Sequence, residues 1–278
     1  MSRQQHSSSP FKSPTRHLSD ERILELNTYD FMAHLGKRVI NPGGSEGLDK
    51  ILAAIQPKAS SHILELGCGN GHAACYIASR YGCRVTAVDI APDMIDLANR
   101  TVMRRGLSGQ VQCTVGNVTD LEFADASFDY VIAQAVLMFV DQGHAIREIC
   151  RVLKPGGQFA GLEFGWKKPP PDEVRDKTYH ICGCRTLEFH SGPDWARRLA
   201  DNGIHQVDAA EHTFNLLSVR GFLRDEGLGN SLRIGARVMS RKANRVRMGE
   251  IWTHFSRNVD YFNYVVMAGR KAVESGDT

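Results

Sequence analysis

The sequence has no long uninterrupted apolar segment and no large excess of charge of either sign. No apolar run approaches the roughly 18 to 20 residues that a helix needs to cross a bilayer, and the first residues lack the apolar core of a signal peptide. The 34 lysine and arginine residues nearly balance the 31 aspartate and glutamate residues, so the net charge of +3 gives no general reason to expect a nucleic-acid or membrane partner. The sequence therefore predicts a cytoplasmic protein that does not bind DNA.

Cysteine is present but does not follow the pattern of a disulfide framework. The seven cysteines are an odd number, and most of them stand alone within apolar segments, as reduced and buried thiols do. Only Cys182 and Cys184 are close together. A Cys-x-Cys pair can bind a soft metal or metalloid, but no second pair or neighbouring histidine completes a zinc-like set. The sequence therefore predicts no metal site and leaves the role of this pair open.

The length and composition are those of one globular unit with an accessory region. A chain of 278 residues, 42% hydrophobic and 23% charged, can bury one sizeable core. Residues 1–19 are rich in serine and offer little apolar surface to offset the entropy of ordering, so we expect a disordered tail there. From residue 20, apolar side chains recur at helical spacing until Asn41-Pro42-Gly43-Gly44 breaks the helix, and a second helix is predicted over residues 46–55.

The middle of the chain alternates short apolar segments with helical ones. This alternation predicts a parallel sheet with helices on both faces, closed by a last strand near the end of the chain. Ligands of such sheets bind beyond the carboxyl ends of the strands. The predicted strands span residues 62–67, 84–89, 111–115, 128–133, 157–163, 205–213 and 261–269, and the predicted helices between them span residues 71–81, 92–105, 141–151 and 192–202.

A glycine-rich turn follows the first predicted strand. Gly67, Gly69 and Gly71 stand at alternate positions, so the backbone can turn sharply and approach a ligand, while the next helix presents free N–H groups to it. Asp89 ends the second strand, where a carboxylate can accept both hydroxyl hydrogen bonds of a ribose. The pattern predicts a ligand that contains a nucleoside. His72 stands where a dinucleotide fingerprint requires a third glycine, which disfavours a dinucleotide.

Four sequence blocks resemble those of the class I S-adenosylmethionine-dependent methyltransferases. Residues 65–71, Glu-Leu-Gly-Cys-Gly-Asn-Gly, resemble the first motif of the family, and residues 87–94 resemble the second. Residues 128–133 resemble the fourth strand, and residues 153–157 resemble the turn that enters the fifth. The resemblance is closest to small-molecule methyltransferases such as the ubiquinone and menaquinone C-methyltransferases. It implies an α/β fold with a Rossmann-like, doubly wound sheet of seven mostly parallel strands, an antiparallel last strand, and S-adenosyl-L-methionine as the cofactor.

The resemblance also implies which residues contact the cofactor. Glu65 is expected to orient the glycine turn or the amino group of the cofactor. Asn117 stands where family members often carry an acidic residue that binds the adenine amino group, and its side-chain carbonyl can accept the same hydrogen bond. Residues 20–57 are expected to lie over the cofactor as lid helices, with Tyr29 and Gly44 as contacts. The predicted cofactor contacts are Tyr29, Glu65, Gly67, Cys68, Gly69, Asp89, Ile90, Met94, Asn117, Val118 and Gln134.

For several of these residues, the alternative to a cofactor contact is a purely structural role. Asn117 could only shape a turn, and Tyr29 could pack in the core. No residue is identified as catalytic, because the sulfonium of the cofactor already activates the methyl group and a base is needed only for a protonated acceptor. Glu163, His190 and Tyr29 are the candidate bases. Residues 163–192 contain three consecutive prolines and are predicted to form a long loop with at most one helix.

A second insertion, residues 218–258, stands where the sheet needs only a hairpin. It predicts an amphipathic helical cap inserted before the last strand of a methyltransferase domain that spans residues 58–272. Trp252 and Phe255 are expected to face the cleft or to seal the cap against the core. Four arginines at successive i+4 positions predict one ridge on a helix beside an apolar stripe. The ridge is Arg233, Arg237, Arg241 and Arg245, and the stripe is Leu232, Ala236, Met239, Ala243 and Val246.

The sequence thus predicts a monomer or homodimer that transfers a methyl group by in-line displacement to a small-molecule acceptor. An RNA or protein methyltransferase that uses the basic cap is the first alternative, and the ridge could contact phosphate, acidic lipid or RNA, or simply face solvent. A nicotinamide-dependent oxidoreductase is the second alternative, which His72 disfavours. The sequence does not choose among carbon, nitrogen, oxygen, sulfur or a metalloid as the acceptor atom.

Overall fold

Seven strands form one mixed sheet in the order β3-β2-β1-β4-β5-β7-β6. The structure, a computed structural model, describes residues 18–183, 188–214 and 219–273. Strands β1 to β5 pair in parallel, whereas β7 is antiparallel to both of its neighbours. The strands are β1 (His62–Leu66), β2 (Arg84–Asp89), β3 (Val111–Val115), β4 (Phe128–Gln134), β5 (Leu153–Trp166), β6 (Ile204–Thr213) and β7 (Phe262–Lys271). This arrangement confirms the predicted fold class.

Helices cover both faces of the sheet and one end of it. α3, α4 and α5 pack on one face, and α6 and α8 pack on the other. The described helices are α1 (Asp20–Glu25), α2 (Thr28–Leu35), α3 (Gly44–Ile55), α4 (His72–Tyr81), α5 (Pro92–Arg104), α6 (Gln142–Val152), α7 (Asp172–Cys182), α8 (Gly192–Asp201), α9 (Val219–Ser240) and α10 (Lys242–Arg257). The loop predicted over residues 163–192 contains one helix, α7. Within the described ranges no helix is long and apolar enough to cross a membrane.

The N-terminal helical segment is two helices rather than the single one that its apolar spacing predicts. Leu26 and Asn27 adopt extended backbone conformations between α1 and α2. Asn27 begins α2 as its N-cap, because its Oδ1 accepts a hydrogen bond from the backbone N–H of Asp30 at 2.9 Å. The break turns α2 toward α7, where the Thr28 hydroxyl donates to the carbonyl of Ile181. Residues 1–17, most of the predicted tail, lie outside the described residues.

A third apolar cluster joins α1, α2, α7, α9 and α10 to the end of β5 and the start of β7. Phe255 is 2% exposed and packs against Phe262 at a ring separation of 5.0 Å, as expected for a residue that seals the cap against the core. Trp252 is 53% exposed, so the same expectation for it was wrong. Trp252 lies outside the buried stripe of α10, which includes Ala243, Ile251 and Phe255, so its side chain meets solvent.

The continuous arginine ridge predicted on the cap is also wrong. α9 ends at Ser240, and Arg241 is an extended N-cap residue of α10, so no single helix carries all four arginines. Arg237 donates to the carbonyl of Leu35, and Arg241 donates to the carbonyl of Leu18 and pairs with Asp20. These two arginines therefore fasten the cap to the N-terminal helices rather than line an outer ridge.

The apolar stripe of the cap does not face the core. Four of its five members, Leu232, Ala236, Met239 and Val246, are exposed, and only Ala243 is buried. α9 instead buries Ile234, which lies on the opposite side of the helix. The spacing of the stripe was correct for a helix, but periodicity does not state which side of a helix meets the core.

A buried carboxylate fastens the lid segment to α9. Glu226 accepts hydrogen bonds from the Lys37 ammonium at 3.3 Å and from the backbone N–H groups of Arg38 at 2.9 Å and Val39 at 3.2 Å. Asn230 donates to its other oxygen at 2.6 Å. Residues 37–41 are thereby held against the cap at the end of the sheet where the functional site lies.

Candidate active site

A cavity of about 690 Å³ lies at the carboxyl ends of β1, β2 and β4. It is closed from above by α2, residues 38–41 and the start of α9. All eleven cofactor contacts predicted from the sequence line this one cavity, although they come from segments spread from residue 29 to residue 134. The structure therefore brings the predicted residues together, whereas their contacts with the cofactor stay predictions.

The glycine turn has the backbone conformation that its sequence requires. Gly67, Gly69 and Gly71 have φ values of 65°, 51° and 73°, which L side chains rarely adopt. A Cβ on Gly67 would lie 2.4 Å from Val136, and one on Gly71 would lie 2.9 Å from Ala98. A Cβ on Gly69 would meet nothing within 4 Å, because this residue faces open space. The turn thus leaves room for a ligand beside Gly69, at the start of α4.

Asp89 is already oriented by the turn that it faces. Its Oδ2 accepts from the N–H of Gly69 at 2.8 Å, and its Oδ1 accepts from the N–H of Ala91 at 3.0 Å. Burial raises the pKa of Asp89, while these backbone hydrogen bonds act in the opposite direction. The carboxylate therefore has a fixed orientation at the end of β2, as a group that recognises the hydroxyls of a ribose requires.

Glu65 fits a positively charged ligand group. Its Oε2 is buried and has no hydrogen-bond partner among the described residues, and burial raises its pKa to about 8. Gln134 Nε2 lies 3.5 Å from Oε1, and Asn41 in turn donates to Gln134 at 3.0 Å. A buried carboxylate oxygen without a partner is costly, and an ammonium group in the cavity would satisfy it. The residues present therefore fit the amino group of S-adenosylmethionine.

Asn117 lines the cavity and also shapes a turn. Its Oδ1 accepts hydrogen bonds from the N–H and the hydroxyl of Thr119, at 3.1 and 2.9 Å. The turn interpretation is thus correct, and the adenine contact stays a prediction. Val118 and Ile90 line the cavity beside it, and Ile90 is exposed there, as an apolar wall for a ligand would be before the ligand binds.

The remaining part of the cavity, called the acceptor half below, borders the glycine turn through Val136, which lies against Gly67. It is formed by α2, the turn after β4 and the end of α7. The ring of Tyr29 makes an edge-on contact with Phe139 at 5.1 Å, and the Tyr29 hydroxyl is buried without a hydrogen-bond partner in the described residues. Burial raises the pKa of this hydroxyl well above its usual value. The acceptor half is lined by Asn27, Tyr29, Asp30, Ala33, Ala135, Val136, Phe139, Val140, Cys182 and Gly183.

Asp30 is the carboxylate of the acceptor half. It is a buried residue, its Oδ2 accepts from the Asn27 side-chain amide at 2.9 Å, and no lysine or arginine of the described residues forms an ion pair with it. Burial raises its pKa to about 6, while the Asn27 hydrogen bond and the more distant Arg22 act in the opposite direction. A carboxylate with this pKa can accept a proton from a ligand near neutral pH.

Two of the three candidate bases lie outside the lining of the cavity. Glu163 is fully buried, and its oxygens accept from the backbone N–H groups of residues 136, 137 and 138, so it holds the turn that carries Phe139. Its pKa is raised to about 7 by burial. The imidazole of His190 lies 3.0 Å from the Gln142 side chain, and burial lowers its pKa. Of the three, only Tyr29 lines the cavity.

Gly44 does not line the cavity, because it packs against Asp225, whose Oδ2 would lie 2.5 Å from a Cβ at this position. Cys182 is buried and lines the acceptor half, but Cys184 lies outside the described residues, so the role of the pair stays open.

Sequence reasoning missed several residues that line the cavity. The missed residues with polar side chains include Asn27, Asp30, Arg38, Asn41, Ser45, Asp49, Arg224 and Asp225. Asp30 stood directly beside the predicted contact Tyr29, and Asn41 stood in the predicted helix break, so position was the only available signal. Nothing in the sequence indicated that residues of α9 line the cavity, because only the folded chain brings α9 close to it.

Comparison with known proteins agrees with this geometry. Residues 64–161 match the family described as "Methyltransferase domain". The chain is 33% identical over 171 residues to demethylmenaquinone methyltransferase of Thermus thermophilus, which covers 59% of this chain and 76% of that protein. It is 32% identical to 27-O-demethylrifamycin SV methyltransferase of Amycolatopsis mediterranei, over 65% of this chain and 79% of that protein.

Solved structures give the same fold. Phosphoethanolamine N-methyltransferase 2 of Haemonchus contortus, in complex with S-adenosyl-L-methionine, superposes with a TM-score of 0.72 at 22% identity, over 91% of this chain and 57% of that chain. These findings exclude the nicotinamide-dependent alternative. The glycine turn, the oriented carboxylate of β2 and the identity to two methyltransferases over most of their length lead to one conclusion. The chain belongs to the class I S-adenosylmethionine-dependent methyltransferases and is an enzyme that uses S-adenosyl-L-methionine.

Proposed function

We propose that this enzyme methylates an oxygen atom of a small, mainly apolar acceptor that carries no phosphate group. The observation that carries the proposal is the composition of the acceptor half: apolar and aromatic walls, one carboxylate, and no lysine or arginine among its described residues. Apolar pockets with a few placed polar groups are typical of small-molecule sites. The relative from Amycolatopsis mediterranei is named for methylation of an O-demethylated compound, which supports oxygen as the acceptor atom.

The part of the cavity formed by the glycine turn and by the segments after β2 and β3, called the cofactor half, supplies binding and orientation. In this proposal Asp89 accepts from the ribose hydroxyls and Glu65 accepts from the amino group. The backbone hydrogen bond that orients Asp89 and the partnerless Oε2 of Glu65 support these two roles. When bound, S-adenosylmethionine supplies a methyl group already activated by its sulfonium. What the protein adds is the position of the acceptor behind that methyl group, and positioning can lower a barrier by up to roughly 7 to 11 kcal/mol.

Asp30 is proposed to accept the proton of the acceptor hydroxyl. The bound cofactor would supply the methyl group that the acceptor oxygen takes, and Asp30 would hold the proton that the hydroxyl gives up. Tyr29 and Phe139 contact each other edge-on and give the acceptor half an aromatic wall, which in this proposal limits the access of water to the hydroxyl. Exclusion of water strengthens the hydrogen bond between the hydroxyl and the carboxylate.

The placement of the basic side chains argues against a phosphate-bearing acceptor. Two arginines line the cavity, Arg38 and Arg224. Arg38 lies next to the glycine turn, because its backbone carbonyl accepts a hydrogen bond from the Asn70 side chain. Arg224 forms an ion pair with Glu46 at 2.8 Å. Neither belongs to the acceptor half. A phosphate there would face Asp30 without a cation to offset its charge.

The test is release of S-adenosylhomocysteine in the presence of a panel of acceptors. The panel comprises substituted phenols and catechols, alkylated naphthohydroquinones, primary amines, phosphoethanolamine and RNA. We expect turnover with a hydroxyl-bearing apolar member and none with phosphoethanolamine. Asp89→Ala serves as the control. Turnover that persists in this variant would come from a contaminating enzyme or from a site other than the proposed cofactor site. Turnover confined to the amines, to phosphoethanolamine or to RNA, or a product whose mass spectrum places the new methyl group on carbon, would refute the proposal.

A further inference from the structure

Large apolar side chains project into solvent from one side of α9. Leu228, Leu232 and Met239 stand at positions i, i+4 and i+11, which lie on the same side of a helix, and they are 68%, 65% and 67% exposed. The opposite side of α9 packs on the core through Ile234. Single exposed apolar residues are common in proteins, but three on one side of a helix form a patch that marks an interaction surface.

Basic side chains stand next to this patch. Arg233, Lys242 and Arg245 are exposed, and none of them pairs with an acidic side chain in the part of the chain that the structure describes. Arg245 donates to the backbone carbonyl of Met239 at 2.6 Å, so its guanidinium lies beside the patch. Exposed basic groups therefore flank the apolar patch around the turn between α9 and α10.

The charge of the two helices differs from that of the remaining chain. Residues 219–257 contain nine lysine and arginine residues and three aspartate and glutamate residues, a formal charge of +6 in a chain whose total is +3. The remaining chain is thus net negative. A single strongly positive region attracts a negatively charged partner and orients the protein toward it.

We propose that this face, called the cap surface and formed by Leu228, Leu232, Arg233, Met239, Lys242 and Arg245, binds the surface of a membrane that contains anionic lipids. Basic side chains near such a surface are attracted by its negative potential. The apolar side chains of an interfacial helix enter the boundary between headgroups and acyl chains. The inference does not depend on the identity of the methyl acceptor.

Other partners fit the cap surface less well. A second copy of the chain would bring two regions of +6 together, and like charges across an interface are unfavourable. RNA-binding surfaces place aromatic side chains between basic ones so that bases can stack. Here the large side chains that share the cap surface with the basic residues are Leu228, Leu232 and Met239, and none of them is aromatic. A lipid surface is the partner that uses both the positive charge and the aliphatic side chains.

The test is co-sedimentation of the full-length protein with vesicles, at low and at high salt. One set of vesicles is phosphatidylcholine, and the other is phosphatidylcholine with phosphatidylserine. We expect binding to the second set that weakens with salt, and little binding to the first. Arg233→Gln with Lys242→Gln should lower the partition coefficient about 30-fold, since each basic residue near the membrane surface raises that coefficient about 5-fold. Leu232→Ser with Met239→Ser should lower it roughly 10-fold at the same net charge.

The matched control removes one arginine and one lysine elsewhere. Arg100 and Lys58 are exposed on other elements, so Arg100→Gln with Lys58→Gln changes net charge by the same amount and should leave the partition coefficient within about 2-fold of wild type. Equal losses in the control and in the Arg233 and Lys242 variant would show nonspecific charge attraction and overturn the proposal. So would failure of the wild type to bind anionic vesicles, or tighter binding to a single-stranded RNA with a steep salt dependence. Calorimetry of S-adenosylmethionine binding to each variant shows separately that the active site is intact.

Discussion

The buried ion pair between the lid segment and the cap offers a sharp test of how the active site is held together. The side chains of Lys37 and Glu226 are 3% and 0% exposed, and their charged atoms are 3.3 Å apart. Glu226→Gln keeps the shape of the side chain and an oxygen that can accept from the backbone N–H groups of Arg38 and Val39. It removes the negative charge, so the Lys37 ammonium keeps only a neutral oxygen and the face of the Phe222 ring, 5.2 Å away.

The expected cost follows from this geometry. Removing one partner of a buried pair leaves an uncompensated charge, which destabilises a protein by about 3 to 5 kcal/mol. The ring of Phe222 offsets about 1 kcal/mol of this, so we expect a loss of about 3 kcal/mol in the free energy of unfolding. Since residues 38–41 line the cavity, the affinity for S-adenosylmethionine should fall as well. Urea unfolding followed by circular dichroism at neutral pH measures the first effect, and calorimetry measures the second.

Two further variants make the result interpretable. Glu25→Gln applies the same change to the exposed pair of Glu25 with Arg22, whose side chains are 65% and 43% exposed, and should cost less than about 0.5 kcal/mol. Lys37→Met combined with Glu226→Gln removes the stranded ammonium and should return stability to within about 1 kcal/mol of wild type. If Glu226→Gln costs no more than Glu25→Gln, the pair is not buried in solution. If the double variant is as unstable as Glu226→Gln, the lost hydrogen bonds rather than the stranded charge cause the effect.

Three further predictions concern the site and the cap. Asp89→Ala should weaken S-adenosylmethionine binding by about 2 to 4 kcal/mol, because two charge-assisted hydrogen bonds to the ribose are lost, and unchanged affinity in a folded variant by calorimetry would remove Asp89 from the site. With an acceptor from the panel, kcat/KM of the wild type should decrease below about pH 6, because Asp30 takes up a proton and can no longer act as a base. The kcat/KM of Asp30→Asn should be lower and should not change with pH across that range. A decrease at low pH that persists in this variant would show that another group titrates. Phe255→Ala should cost about 3 to 5 kcal/mol of stability in urea unfolding, whereas Trp252→Ala should stay within about 0.5 kcal/mol, and equal costs would contradict the orientation of α10.

The sequence was most informative where function depends on local backbone geometry. Three glycines between an apolar strand and a helix can only be a turn with positive φ values, and all three glycines have them. A carboxylate at the end of the next parallel strand must lie at the same edge of the sheet as the glycine turn. Asp89 therefore accepts a hydrogen bond from the N–H of Gly69. Strand positions were equally predictable, because short apolar runs between helical segments have few alternatives in an α/β fold.

The sequence was least informative where a residue acts through a partner far away in the chain. Asp30 reads as a polar residue in a helix, and only the packing of α2 over the sheet makes it a buried carboxylate in the acceptor half. The sequence made Glu163 a candidate base. In the structure it is fully buried and accepts hydrogen bonds from the backbone N–H groups of the turn after β4. Burial and hydrogen-bond partners, not residue type, separate these two carboxylates.

By itself, then, the sequence predicted which residues of the glycine turn and of the ends of β2 and β3 line the cavity, since their positions follow from local turns and from the order of strands that periodicity indicates. The tertiary structure alone decided the acceptor half and the outer face of the cap. Helical spacing placed Leu232 and Met239 on one side of α9, but the direction of that side depends on contacts made by Ile234 and by Glu226 with residues about 190 positions earlier. Periodicity defines a face of a helix, and only the packing of the whole chain decides whether that face meets the core or the solvent.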